Sequence, residues 1–438
     1  MARLNMLKIG PLAFGLRTHE GAPARHITPE LQLRRSVLAC LLWERQFYED
    51  GIEIAGRIRE LVPKVEAAKV AALAVEAREK MKLRHAPLLL VREMARLASH
   101  RALVGETLDR VIQRADELAE FVAIYWSDGR APLSKQVKKG LASAFGKFDE
   151  YALAKYNRPG PVKLRDVLFL THPKPRDEAQ VALWKRLVDG ELVTPDTWEV
   201  ALSGGADKRE TWERLLVEHK LGALALLRNL RNMQAAGVEE KLVLEAIRTM
   251  KTDRVLPFRF IAAARYAPQC EDALEKAMFS SVEHVGKLAG KTVLLVDVSG
   301  SMDAALSARS ETQRTDAAFG LAILLREICE DVEVYSFSNV TRRVPSRRGF
   351  ALRDAINTSQ AHQGTYLGQA VRDVEGKHDR LIVITDEQAH DSVPAPNGRG
   401  YVINVASYKN GVGYGKWTHI DGWSESVVEY IRELETVN

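Results

Sequence analysis

Apolar residues recur at helical spacing through most of the first two thirds of the chain. Leu31, Leu33, Val37, Leu38, Leu41 and Leu42 make one such stripe, behind a Thr28-Pro29-Glu30 start in which Thr28 can cap and Pro29 suits the first turn. The same periodicity predicts helices over 64–81, 87–100, 106–125, 134–156, 177–188, 208–220, 221–236, 238–250 and 270–285. Pro or Gly punctuates many of the gaps, and strand-like runs are nearly absent. Helix after helix without a strict repeat predicts an irregular solenoid of HEAT-like pairs, with an ordinary helical bundle as the simpler alternative. The phrase GKLAGK at 286–291 then ends this regime.

Beyond it, Val293 to Val296 and Leu381 to Ile384 are continuous apolar runs of β-formers, the pattern of strands covered on both faces in a parallel sheet. The chain therefore divides into an all-α part, 1–288, and an α/β doubly wound part, 289–438, closed by a helix over 424–434. A length of 438 residues suits more than one domain.

The first strand leads directly into Asp297, Ser299 and Ser301. Alternate positions in an extended segment point the same way, and Gly300 between them gives the backbone room to turn. A carboxylate with two hydroxyls is a hard-oxygen set, suited to Mg²⁺, Ca²⁺ or Mn²⁺ and poorly suited to zinc. Two later segments add to it: Thr365, in HQGTYLG, and Asp386, which ends LIVITD. Together Asp297, Ser299, Ser301, Thr365 and Asp386 resemble the metal-ion-dependent adhesion site of von Willebrand factor A domains, which implies a bound divalent cation, Mg²⁺ in our reading.

A second cluster lies in KYNRPGPVKLRDVLFLTHPKP, starting at Lys155. Lys155, Arg158, Lys163, Arg165, His172 and Lys174 flank a short apolar helix, 164–170, whose ends are stiffened by Pro159, Pro161, Pro173 and Pro175. Cations held on stiff loops beside Tyr156 suit single-stranded RNA, which is gripped by neutralising its backbone and stacking its bases. Lys138 and Lys139 extend the same surface. For each of these a solvated face is the bland alternative. Phe121, Tyr125 and Trp126 read as core, 257–264 as a core bend, and 221–233 as a packing helix in which Arg228 and Arg231 alone are candidates to face a ligand.

Net charge sharpens the division: +9 over residues 1–290 and −4 over 291–438, so a polyanion would meet the front of the chain. No stretch reaches the ~18 apolar residues of a membrane span. The amino-terminal residues carry Lys8 and a Gly10-Pro11 break, which suit a flexible arm better than a secretion signal. Cys40, Cys270 and Cys329 are few and far apart, which fits neither a disulfide framework nor a zinc site and predicts a reducing, cytoplasmic setting.

The segments KYNR, LRDVLFLTHPKP, LGALALLRNLRNM and DRVLPFRFIAA, in that order and followed by an A-type domain, resemble the TROVE module of the sixty-kilodalton Ro autoantigen family and its bacterial relatives. The resemblance implies a monomeric ring of HEAT-like helices completed by the A domain, with no catalytic activity of its own. It also implies Y-type and other non-coding RNA on the outer surface of the ring, single-stranded ends of misfolded RNA in its hole, and an exoribonuclease such as polynucleotide phosphorylase as a candidate partner. Lys155 and His172 match family positions that contact RNA, and Arg158 matches approximately. A protein-interaction module that captures a partner's carboxylate on the metal is the competing expectation. A metal-dependent nuclease is disfavoured, since His390 is the sole general-base candidate near Asp386 and one ion is too few for that chemistry.

Overall fold

The computed structural model describes residues 28–39, 51–81, 83–203, 207–253, 255, 257–283, 286–305, 313–376, 378–406, 411–413, 415–421, 427, 431 and 435. The predicted arm before Thr28, together with Cys40, Leu41 and Leu42, lies outside them. Helices come first: α1 (Pro29–Ala39), α2 (Gly51–Leu61), α3 (Ala67–Glu79), α4 (His85–Arg96), α5 (Val104–Val111), α6 (Asp116–Tyr125), α7 (Lys135–Phe145) and α8 (Glu150–Tyr156). They continue with α9 (Leu164–Thr171), α10 (Glu178–Asp189), α11 (Trp198–Ser203), α12 (Lys208–Val217), α13 (Ala223–Ala235), α14 (Glu240–Thr249), α15 (Pro257–Tyr266) and α16 (Glu271–Val282).

Three expectations about these helices are corrected. The helix predicted over 106–125 is two, because Glu117 turns back to accept the backbone N–H groups of Gln113 and Arg114 at 2.8 and 3.0 Å. That carboxylate is itself held by buried Arg78 at 2.8 Å, so a charged pair fixes the break. The helix predicted over 134–156 is also two, since Asp149 accepts from the Ala152 N–H at 2.8 Å and starts α8 afresh. Pro257 opens a helix, α15, where a bend is expected from the sequence; proline is at home in a first turn. Helix α2 is absent from the periodicity-based set, although Ile54, Ile58 and Leu61 form a short buried stripe along it.

The sheet follows: β1 (Leu288–Asp297), β2 (Cys329–Phe337), β3 (Thr341–Arg343), β4 (Arg380–Thr385), β5 (Arg399–Asn404) and β6 (Trp417–Asp421), in the spatial order β3-β2-β1-β4-β5-β6. Every pairing is parallel except β2 with β3. Helices α17 (Arg314–Ile328), α18 (Gly349–Asn357) and α19 (Leu367–Asp373) complete it. The chain runs outward from β1 through β2 and β3, then returns to β4 on the other side of β1. The crevice beyond the carboxyl ends of β1 and β4 is thus the switch point at which such sheets hold ligands. Most of the helix predicted over 424–434 lies outside the described residues. Val427 and Ile431 are buried in the core, and Glu435 accepts from Arg380 at 2.6 Å and Tyr401 at 2.9 Å.

Helices give way to strands between Val282 and Leu288, but the apolar core divides elsewhere. One core runs from Leu33 to Leu187. A second joins Trp212 and the buried residues of α12 to α16 with one face of the sheet, Leu294, Val296, Ile382 and Ile384 among them. A third, smaller cluster covers the opposite face, around Val293, Leu295 and Phe337. Helix α17 crosses α15 so closely that a Cβ on Gly320 would sit 2.9 Å from the Cβ of Phe258. Arg265 of α15 also donates to Asp316 of α17 at 2.6 Å. At the far end of the array α1 lies against β6. Both ends of the helical array thus meet the α/β part, and the helices close into a ring. No helix among the described residues is long and apolar enough to cross a membrane.

Candidate metal cup and nucleic-acid interface

The five residues expected to hold a cation meet at the switch point. Asp297 ends β1 and Asp386 follows β4, side by side because those strands pair from Thr292/Arg380 to Val296/Ile384. Asp297, Ser299 and Asp386 are fully buried and Thr365 nearly so. The Ser299 and Ser301 hydroxyls stand 3.2 Å apart. Gly300 N–H donates to Gln363 O at 2.8 Å, which ties the first loop to the segment carrying Thr365. Thr365 is fixed twice by His390: its N–H donates to Nδ1 at 3.0 Å, and its carbonyl accepts from the His390 N–H at 2.8 Å. His390, the one general-base candidate near Asp386, is therefore committed to the loop, and its ring also stacks on Tyr366 at 5.5 Å.

Asp297 is oriented on both oxygens, Oδ1 accepting from Ser299 N–H at 2.8 Å and Oδ2 from the Thr385 hydroxyl at 2.5 Å. Burial pushes its carboxyl up to about 7, and the charge of Asp386 pushes the same way. The residue that sequence reading missed is Arg314, at the start of α17. It is 2% exposed, and its Nη1 donates to Asp386 Oδ2 at 3.2 Å and to Ser301 O at 3.4 Å. A guanidinium so placed offsets one of two buried negative charges. Its signal was weak, since an Arg opening a helix departs from the usual preference for acids there.

Among the described residues no group of three or more His, Cys, Asp or Glu is placed to hold a metal, so zinc-type sites are absent from them. The cup is instead hydroxyl-rich. Two carboxylates, two serines and a threonine facing one crevice fit a hard cation, and an ion there would offset the burial and the repulsion from Asp386 that raise the Asp297 carboxyl.

The cations predicted to meet RNA lie along the first arc of the ring. Lys138 and Lys139 are exposed on α7, Arg158 and Lys163 on the α8–α9 connection, Arg165 in the first turn of α9, and His172 and Lys174 just beyond its end. His172 has φ 48°, a left-handed residue that stops the helix. Eight residues of helix separate the two ends of this group by roughly 12 Å. Lys155 is half-buried at the end of α8, its Nζ 5.8 Å from the ring centres of both Tyr151 and Tyr156. Among the described residues, Lys138, Lys139, Arg158, Lys163, Arg165 and Lys174 form no ion pair. Nearby Arg186 and Arg114 are paired, with Glu150 and Asp116 respectively.

Two aromatics beside these cations escaped the sequence reading. Tyr151 is 52% exposed and Phe169 56%. Tyr151 could have been found, one helical turn before Lys155. Phe121 is in the core and Trp126 donates to Ala131 O at 2.7 Å, both structural as expected. Arg228 and Arg231 are exposed on α13, the latter over the Tyr266 ring at 5.6 Å.

Residues 185–316 match the TROVE domain family model. The similarity to the TROVE family is carried by these residues. The match begins in α10 and runs across the helix-to-sheet transition into α17, as the second core does. Telomerase protein component 1 is 38% identical in Mus musculus and 37% in Rattus norvegicus, each over 79 residues. That segment is 17% of this chain and 3% of those proteins, so the chain spans a small part of the curated relatives it matches. The crystal structure of Deinococcus radiodurans RO (RSR) protein superposes with a TM-score of 0.60 at 20% identity, over 90% of this chain and 96% of that one. At that identity the likeness concerns the fold: a helical ring completed by a von Willebrand factor A-type domain.

Proposed function

We propose that this protein binds RNA on its helical ring, holding small structured non-coding RNA and single-stranded RNA ends, and acts in RNA quality control or processing without catalysing a reaction. The observation that carries the reading is the set Lys138, Lys139, Arg158, Lys163, Arg165 and Lys174, unpaired among the described residues and set beside exposed aromatic rings. Cations that spend no charge on the protein's own carboxylates are available to phosphates, and rings such as Tyr151 and Phe169 offer faces to bases. The Y-type character of the RNA, a docked exoribonuclease and a cytoplasmic, monomeric state follow from the family resemblance and belong to this same proposal.

In the A-type domain, Asp297, Ser299, Ser301, Thr365 and Asp386 would hold Mg²⁺, directly or through water. The ion would supply a charged centre for an oxygen ligand. The chain's own part is to hold Asp297 and Thr365 by fixed hydrogen bonds and to keep bulk water out of the crevice. RNA affinity resides in the ring and not in this cup.

Salt titration of single-stranded RNA binding tests the division. Each phosphate neutralised contributes about 0.7 to the log-log slope, so replacing Lys155 and Arg165 together by Ala should flatten it by roughly one unit or more. Asp297→Ala should leave the slope unchanged. The reverse pattern would put the RNA on the A-type domain.

A further inference from the structure

Three arginines of the second arc stand apart from the band. Arg228 and Arg231 share a face of α13, and Arg259 lies in the first turn of α15, the helix against which α13 packs. All three are exposed, and among the described residues none forms an ion pair. Nearby Arg265 is the contrast, since it is committed to Asp316 at 2.6 Å. Arg259 is open to solvent yet recessed among its neighbours: burial first, and then the charge of Arg228, holds its guanidinium below the usual arginine range. Among the described residues no carboxylate offsets either effect. Two guanidiniums therefore repel each other across the contact between α13 and α15, a strain that a bound anion would relieve. Aromatic rings support the group from beneath. Arg259 lies over Phe258 at 4.8 Å and Arg231 over Tyr266 at 5.6 Å, which restrains the guanidinium planes while their N–H edges stay available.

We propose that Arg228, Arg231 and Arg259 form a phosphate site between α13 and α15 that clamps one phosphate of a bound single-stranded RNA. The inference rests on the RNA-binding reading above and adds a fixed point to it. A phosphate offers oxygens in more than one plane, so guanidiniums from two helices can share it, whereas the two oxygens of a carboxylate are filled by a single fork. The band is mostly lysine. An ammonium is a point charge that lets a strand shift along it, while the planar fork of arginine holds phosphate oxygens in one orientation. The band thus supplies attraction, and the arginines supply register.

Binding of labelled oligouridine across a salt series decides it, with the full chain as the protein. Arg228→Gln combined with Arg259→Gln should weaken binding roughly tenfold and lower the log-log salt slope by about 0.7, the share of one phosphate. Because the sites lie on separate arcs, this loss should add to that of Lys155→Ala with Arg165→Ala. Arg259→Lys should keep the slope and still bind more weakly than wild type, since it keeps the charge and loses the fork. The double Gln variant removes a repulsion, so its urea midpoint should equal or exceed that of wild type. A lower midpoint would make the arginines part of the fold and overturn the site. Unchanged affinity and slope in the double Gln variant, beside a loss in the Lys155/Arg165 variant, would overturn it too and leave RNA binding standing. Failure of the wild type to bind RNA at low salt would overturn the RNA-binding reading and this site with it.

Discussion

Charge is handled in opposite ways in the two candidate sites. In the cup every charged group is buried and committed: Asp297 to Thr385 and Ser299, Asp386 to Arg314. Along α7 to α9 the cations Lys138, Lys139, Arg158, Lys163 and Arg165 are exposed and form no ion pair among the described residues. The first arrangement fixes atoms to within the tolerance of a single ion, at the cost of desolvating every partner. The second tolerates movement and sums many weak contacts, which is what a long polyanion requires. Mutations should therefore fall on folding in the cup and on binding in the band.

The largest effect should come from Arg314→Leu. It leaves Asp386 buried without its guanidinium, and breaking such a pair costs about 3–5 kcal/mol. Urea denaturation in EDTA should show this loss, and Mg²⁺ should restore part of it; a variant as stable as wild type in EDTA would mean that Arg314 is not the counter-charge. Next in size is Gly320→Leu, which drives a side chain into Phe258 where α17 crosses α15. Overpacking there should cost about 1–3 kcal/mol, read as a lower denaturation midpoint.

Acidity gives an intermediate effect. Because folding raises the Asp297 carboxyl to about 7, the folded state holds that proton more tightly than the unfolded chain. Without Mg²⁺, stability should therefore fall as pH rises from about 4, where the unfolded group ionises, through about 7, and level off above it. Mg²⁺ must displace that proton, so its affinity measured by calorimetry should weaken by about tenfold per pH unit below 7. A Mg²⁺ affinity independent of pH between 5 and 7 would contradict the raised carboxyl. The smallest change in stability belongs to the band: Lys138→Ala with Lys139→Ala should stay within about 0.5 kcal/mol of wild type while lowering the salt slope of RNA binding.

The cup was legible because its chemistry is local to strand ends. An apolar run followed by Asp297, Ser299 and Ser301 fixes both position and direction, and the run before Asp386 does the same. Arg314 was not legible, since its partner is 72 residues away and nothing nearby marks an inward-facing guanidinium. Long helices were readable from periodicity, but the breaks after α5 and α7 depend on Glu117 and Asp149 turning back to cap backbone groups, which apolar spacing does not record.

The two large cores make the ring a bracelet of two rigid arcs. Leu33 and Val37 of α1 belong to the first and Ile420 of β6 to the second, so among the described residues no continuous apolar core crosses that seam although the elements touch. The chain itself passes from one arc to the other between Leu187 and Trp212. One joint is thus covalent backbone, and the other a contact between elements of separate cores. The second joint is made by non-covalent contact between α1 and β6.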